Sequence, residues 1–156
     1  MELFLSNYLN KIDKKGRVSL PSSYRSVLSK ENKSELILFK SLKFKAIDGC
    51  SYQRIEKISQ RIDTLDIFSD DQDDFSTSIF SEMIPTNLDK EGRFLLPENL
   101  KQYANILNEV SFIGHGHYFQ IWEPSAALER QKKSRNRIIN EKKTLASIVV
   151  RSSNDK

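Results

Sequence analysis

The sequence predicts an α+β fold built from two tandem copies of one unit, a β-hairpin followed by a short helix. The stretch D-K-K-G-R-V-S-L-P at Asp13–Pro21 returns as D-K-E-G-R-F-L-L-P at Asp89–Pro97, with six of nine positions identical at an offset of 76 residues. The likeness runs past the motif: Ile12 matches Leu88, Arg25 matches Lys101, and an apolar run follows each copy at a comparable distance. Self-similarity at a fixed offset marks a repeated supersecondary unit. Strand-like and helical patterns also follow both copies in the same order.

In the first copy, Tyr8–Ile12 and Arg17–Leu20 read as strands on either side of a turn. Asp hydrogen-bonds the backbone two residues on and starts a turn, while Gly accepts positive φ at little cost. Leu3, Phe4 and Leu5 are expected to cover the edge of the core. Pro21 ends the ladder and suits a helical first turn. The helix is expected from Ser22 or Ser23, with Tyr24, Val27 and Leu28 on one face. Ser29–Ser34 is a polar loop, and Glu35–Lys40 and Lys43–Asp48 form a second strand pair. The corresponding pair in the second copy is Val110–Ile113 and Tyr118–Trp122, so each unit holds four strands and one short helix. Between the units, Ile55, Ile58, Ile62 and Leu65 recur at helical spacing over Ser51–Leu65. The acidic run Ser69–Asp74 is placed to open a further helix through Phe75, Ile79 and Phe80. The expected organisation is a first unit over 7–50, a helical connector over 51–82, a second unit over 83–126 and a basic helical tail over 127–156.

A hydrophobic share of 38% with 10% aromatics is globular in composition. Each repeat is marginal for folding alone at about 50 residues, so the copies are expected to share a core. Cys50 is the only cysteine, which excludes an intrachain disulfide and fits a reducing cytoplasm. No apolar run reaches the length of a membrane span, and the first residues lack a basic, then apolar, leader. The net charge of +4 is uneven, at +5 over 1–48, −5 over 49–82, −2 over 83–123 and +6 over 124–156. Basic ends around an acidic middle suit a polyanionic partner, or describe an uneven solvated surface. The basic segment after Pro124 is either a phosphate-contacting arm or a solvated helix.

Catalysis finds no support, because the sequence holds no Walker loop, G-x-S-x-G elbow or usable Cys–His pair. His115-Gly116-His117 supplies two imidazoles where a stable zinc site wants three or four ligands, so no metal and no cofactor are expected. The glycine there suits a tight hairpin turn. The acidic run 69–74 lacks the spacing of a calcium loop. Trp122 is expected in the core or at a subunit contact.

The two D-x-x-G-R motifs, each followed by L-P, resemble the MraZ family of bacterial transcription regulators. Further matches are Ala46–Cys50, Phe112–Gly116 and Phe119–Pro124, so that the likeness spans about Met1–Ser125. The resemblance implies two SpoVT/AbrB-like swapped-hairpin units interlocked into a pseudo-twofold, double-barrel core, and subunits closed into rings. It also implies a cytoplasmic, nucleoid-associated protein that binds short direct repeats of double-stranded DNA upstream of its own operon of cell-division and cell-wall genes.

On that reading a two-stranded ribbon enters the major groove, where an arginine donates two bonds to guanine O6 and N7. Arg17 and Arg93 are the candidate base readers, and Asp13, Gly16, Asp89 and Gly92 shape the turns that present them. Lys11, Lys14, Lys15 and Lys90 are candidate phosphate contacts, which add affinity without sequence information. Glu91 replaces the counterpart of Lys15, so unequal roles are expected for the two hairpins. The alternative is an oligomeric scaffold or protein-interaction module without specific DNA binding.

Overall fold

The computed structural model of the chain describes residues 3–30 and 35–148. It contains eight strands in antiparallel sheets and five α-helices among the described residues. The first copy supplies β1 (Asn7–Lys11), β2 (Arg17–Ser19), α1 (Ser22–Ser29), β3 (Glu35–Lys40) and β4 (Ile47–Cys50). Helices α2 (Tyr52–Asp63) and α3 (Asp70–Ile79) follow, and the second copy supplies β5 (Ile84–Asn87), β6 (Arg93–Leu95), α4 (Glu98–Tyr103), β7 (Glu109–Gly114) and β8 (Phe119–Trp122). Helix α5 (Pro124–Asn140) comes last. Residues 1–124 form one compact unit and 125–156 a second. No described helix is long and apolar enough to cross a membrane.

The two copies exchange strands. In the six-stranded sheet the order is β1-β7-β8-β4-β3-β5, so each copy's leading strand pairs with the third strand of the other. The order reads the same from both ends when the copies are interchanged. Strands β2 and β6 form a separate two-stranded ribbon. The registers share one pseudo-twofold relation: Val18 faces Phe94 at the centre of the ribbon, and Asp48 faces Gln120 at the centre of the β4–β8 pair.

This pairing differs from the self-contained hairpins that each copy's own residues suggest, while the expected α+β class with two tandem units holds. Each turn is closed as expected, and Ile12 still bridges Val18. Beyond that bridge the two arms part, because β1 pairs along its length with β7 while β2 pairs with β6. Local alternation dictates which face of a strand is buried, but not which neighbour completes its hydrogen bonds.

One core draws on both copies. Val18, Leu20, Tyr24, Leu36 and Ile47 of the first pack in one cluster with Phe94, Leu100, Phe112, Phe119 and Ile121 of the second. Tyr24 lies edge-on to Phe4 and Phe112, and its hydroxyl donates to the Ser6 carbonyl at 2.8 Å, which satisfies its one polar atom. Phe119 lies against Gly49, where an added Cβ would stand 2.4 Å from the ring, so only glycine fits there. Of the three N-terminal apolar residues, Phe4 alone enters the core; Leu3 and Leu5 are exposed, since alternate residues of an extended segment face opposite ways.

Helix α1 begins at Ser22, directly after Pro21, and buries Tyr24, Val27 and Leu28 as its spacing predicts. The expected strand Lys43–Asp48 starts only at Ile47. Before it, the Ser41 Oγ accepts the Lys43 and Phe44 backbone N–H groups and the Ser41 N–H donates to Ala46, which folds 41–46 into a turn. Ser51 and Ser69 cap α2 and α3 through their hydroxyls. Asp70, Asp71 and Asp73 therefore occupy the first turn of α3, where they complement the helix dipole. Part of the polar loop 29–34 and the end of the tail lie outside the described residues.

On the sheet face turned away from the main core, the Gln120 amide donates to Asp48 at 2.9 Å and its carbonyl accepts from the Trp122 indole at 2.9 Å. Burial pushes the Asp48 carboxyl up to about 6, against the lowering effect of the Gln120 hydrogen bond. Its folded pKa therefore lies above the ordinary value of 3.8. Below that value the group is protonated in both states; between there and about 6 the unfolded chain ionises first, so stability falls with rising pH and then levels. Asp48→Asn should flatten this slope and raise stability at pH 7 by up to about 3 kcal/mol. Urea unfolding of both proteins at several pH values from 4 to 7.5 checks it; an unchanged slope in the variant would refute the assignment.

Candidate functional site

The repeated motif builds the same turn twice. In the first, Asp13 Oδ1 accepts the backbone N–H groups of Lys15 at 2.9 Å and Arg17 at 2.8 Å, and Oδ2 accepts the Arg17 Nε–H at 2.7 Å. The backbone closes the loop through Gly16 N–H to Asp13 O at 3.0 Å and Asp13 N–H to Arg17 O at 2.9 Å. In the second, Asp89 accepts from Glu91 N–H at 2.9 Å, Arg93 N–H at 2.9 Å and Arg93 Nε–H at 3.0 Å. Gly16 and Gly92 have φ of 82° and 78°, which explains the glycine in each motif. The spacing of Asp and Arg is thus explained by one carboxylate that organises both the backbone and the guanidinium.

The backbone N–H of Arg17, with the Arg17 side chain and Lys15 N–H adding to it, holds the Asp13 carboxyl below its usual range despite some desolvation. Asp89 is held down in the same way by the backbone and side chain of Arg93. Both stay ionised at neutral pH and keep their arginines in place. Nε is one of five N–H donors on a guanidinium, so the contact to Asp orients the fork while its outer edge retains donors for a ligand.

The ribbon sets the two arginines side by side. Arg17 faces Leu95, Val18 faces Phe94 and Ser19 faces Arg93. Val18 and Phe94 point into the core, so the alternation along each strand sends Arg17, Ser19, Arg93 and Leu95 outward together. Arg17 and Arg93 occupy diagonal positions, where Cβ atoms stand about 7–8 Å apart, and each guanidinium leans back to the aspartate of its own turn. Leu20 N–H donates to Gly92 O at 2.9 Å and Leu96 N–H donates to Gly16 O at 3.0 Å, which locks each turn against the opposite strand. The antiparallel register places the two turns at opposite ends of the ribbon. Lys14 and Lys15 are exposed at one end and Lys90 at the other, and Lys11 is exposed at the end of β1.

Three details separate the two ends. Arg93 meets a second carboxylate, Glu91, at 3.4 Å, whereas the position equivalent to Glu91 in the first turn is Lys15. Arg25 from α1 crosses to the second turn and donates from Nη1 to the Glu91 carbonyl at 2.9 Å. The Arg25 side chain fills the space over Gly92, where an added Cβ would stand 1.9 Å from Nη1. Sequence reasoning missed Arg25 as part of the site; the available signal was a cation at the matching place in both copies, Arg25 and Lys101. It also missed Ser19 and Leu95, whose place beside the arginines depends on the β2–β6 pairing.

The arrangement is a two-stranded ribbon with both motif arginines on its outer face and lysines near its ends. Such a surface suits an extended anion presenting planar acceptors between two lines of charge. A family model described as "MraZ protein, putative antitoxin-like" matches residues 79–146. The protein named "Transcriptional regulator MraZ" from Rickettsia canadensis (strain McKiel) is 42% identical over 143 residues, which cover 92% of this chain and 95% of that relative. Its namesake from Rickettsia akari (strain Hartford) is 41% identical over the same length and shares of the two chains. That from Rickettsia bellii (strain OSU 85-389) is 45% identical over 125 residues, 80% of this chain and 83% of the relative. With 41–45% identity to these relatives over most of both chains, the chain belongs to the MraZ family.

Proposed function

We propose that this protein is a sequence-specific, double-stranded-DNA-binding transcriptional regulator that reads short direct repeats through the β2–β6 ribbon. The observation that carries the reading is that the arginines of both Asp-x-x-Gly-Arg turns emerge on one outward face of a single ribbon, each oriented by its own aspartate. The relatives' shared name, "Transcriptional regulator MraZ", supports the same direction. A two-stranded ribbon fits the major groove. Arg17 and Arg93 lean toward the turns at opposite ends of the ribbon, so they address separate base pairs along the groove. Lys11, Lys14 and Lys15 at one end and Lys90 at the other hold the flanking phosphates. Asp13 and Asp89 stay paired with arginine, which limits their repulsion of the backbone.

The protein acts without catalysis, in the cytoplasm on the nucleoid, as a homo-oligomer whose subunits close into a ring. Its target is the control region of its own cell-division and cell-wall operon. The first unit (7–50) and second unit (83–126) supply the ribbon jointly, with 51–82 as connector and 127–156 as a basic tail.

Arg17→Ala should weaken specific binding more than Arg93→Ala, because Arg93 is shared between Asp89 and Glu91 while Lys14 and Lys15 surround the first turn. The loss at Arg17 is expected to be about 1–3 kcal/mol of discrimination, roughly 5- to 150-fold. Lys14→Ala should instead lower affinity for all sequences alike and reduce the salt slope by about one. Titrating each variant on the protein's own upstream DNA and on unrelated DNA at several salt concentrations decides between these roles. Equal binding of both DNAs by the unaltered protein would favour the scaffold reading over this one.

Subunits repeated around a ring present the same ribbon in the same sense, so their sites are direct repeats spaced by about 10 bp. Inserting about 5 bp between repeats should remove most of the cooperative affinity, and inserting about 10 bp should restore much of it, because the second contact is intramolecular. Gel-shift titration of the three spacings tests this; equal affinity for all of them would sink it.

A further inference from the structure

Helices α2 and α3 form a helical hairpin whose two ends differ in character. The turn joining them carries Ile67 and Phe68, which are 70% and 89% exposed. The turn is not a loose loop. Asp66 Oδ1 accepts the Phe68 backbone N–H at 3.0 Å, and the Asp66 carbonyl accepts the Ser69 N–H at 2.9 Å and the Ser69 hydroxyl at 2.6 Å. Ser69 in turn caps α3 by accepting from Gln72 N–H at 3.1 Å. Two adjacent large apolar side chains are thereby held out in water on a braced turn.

Toward the other end of the same hairpin lies a cavity of about 350 Å³ against the outer face of the sheet. Phe39, Phe44, Ile58 and Ile79 supply apolar wall, and Lys43 and Arg54 add positive charge. Ile58 on α2 and Ile79 on α3 are each about ten residues from Phe68, or about 15 Å along a helix at 1.5 Å per residue. Phe68 therefore does not reach the cavity of its own chain in this fold. The balance of charge around the two features is opposite: Asp63, Asp66, Asp70 and Asp71 outnumber Arg61 around the projecting turn, whereas Lys43 and Arg54 outnumber Asp48 in the lining of the cavity.

We propose that the Ile67–Phe68 turn of one copy seats in the cavity beside Phe44 of a second copy, with its acidic flanks against Lys43 and Arg54. The contact joins different patches of the two copies, so it is heterologous, and repetition of such a contact produces a closed ring or an open filament. The inference rests on the oligomeric reading above and supplies the contact for it; both surfaces are separate from the β2–β6 ribbon, which stays open to its ligand.

The test uses two full-length variants at exposed positions. Phe68→Asp spoils the projecting turn, and Leu42→Glu, at a residue 57% exposed beside the cavity, places a repelling carboxylate there. Thermal melting verifies that both are folded, and Phe68→Ala is the milder variant should the aspartate disturb α3. Light scattering should find a multiple of 18.1 kDa for the unaltered chain and 18.1 kDa for each variant alone. An equimolar mixture of the two variants should form a two-copy particle, because one intact turn and one intact cavity remain. An unaltered mass for Phe68→Asp would overturn this contact while leaving the oligomeric reading standing. Variants that become monomeric but fail to pair on mixing would overturn the head-to-tail arrangement. A monomeric unaltered chain would overturn both the contact and the oligomeric reading. Binding of a single DNA repeat by Phe68→Asp reports on the ribbon separately and is expected to match that of the unaltered chain.

Discussion

The antiparallel pairing of β2 with β6 is the constraint on which the rest of this fold depends. Each strand has only three residues, too few to stand alone as half of an independent hairpin. Their union is fixed by Val18 against Phe94 in the core and by reciprocal hydrogen bonds from Leu20 to Gly92 and from Leu96 to Gly16. Once β2 and β6 are committed to each other, β1 and β5 are released from their own hairpins. They complete opposite ends of the six-stranded sheet, each beside a strand of the other copy. A unit of about 50 residues that could bury little surface alone instead contributes half of one core.

The same pairing accounts for the shape of the candidate site. In an ordinary hairpin the Arg of the motif would sit near a flexible tip, facing solvent by itself. Here the turn is tied across to the opposite strand and the arginine lies on a ribbon whose inner face is core. Its rotamer is restrained by the aspartate and its backbone by the ladder, so little freedom remains to be lost when a ligand is held. Glycine is required twice over at the second turn, by positive φ and by the Arg25 side chain lying against it.

Much of this was legible in the residues, and the illegible part has a common cause. The turns, the helix starts after Pro21 and Pro97, the burial of Tyr24, Val27 and Leu28, and the placing of acidic residues at the start of α3 all follow from local chemistry. The motif arginines and aspartates were likewise visible from the repeat. Strand partnership was not, because a period-2 pattern carries no label for its neighbour. The late start of β4 depended on the Ser41 hydroxyl capturing two backbone N–H groups, a short-range competition that β-propensity does not register. Arg25, Ser19 and Leu95 joined the site only through the long-range pairing that the sequence pattern could not supply.

Duplication within one chain also explains why the site departs from symmetry. Two identical subunits would be obliged to carry the same residue at both turns and at both central pairs. A fused pair keeps the shared backbone geometry while its side chains diverge. The divergence reaches the pseudo-twofold relation itself: Asp48 faces Gln120 across β4 and β8, where two identical acids would repel and two identical amides would carry no charge. At the ribbon the backbone bonds remain matched to within a few tenths of an ångström, yet Lys15 is replaced by Glu91 and Arg25 has no like-for-like counterpart. The conserved quantity is the positioning of the two guanidinium groups, and the varied quantity is the field around each. A ligand lying across this ribbon therefore meets two similar donors in unlike surroundings, which gives it a direction along a scaffold whose backbone is nearly symmetric.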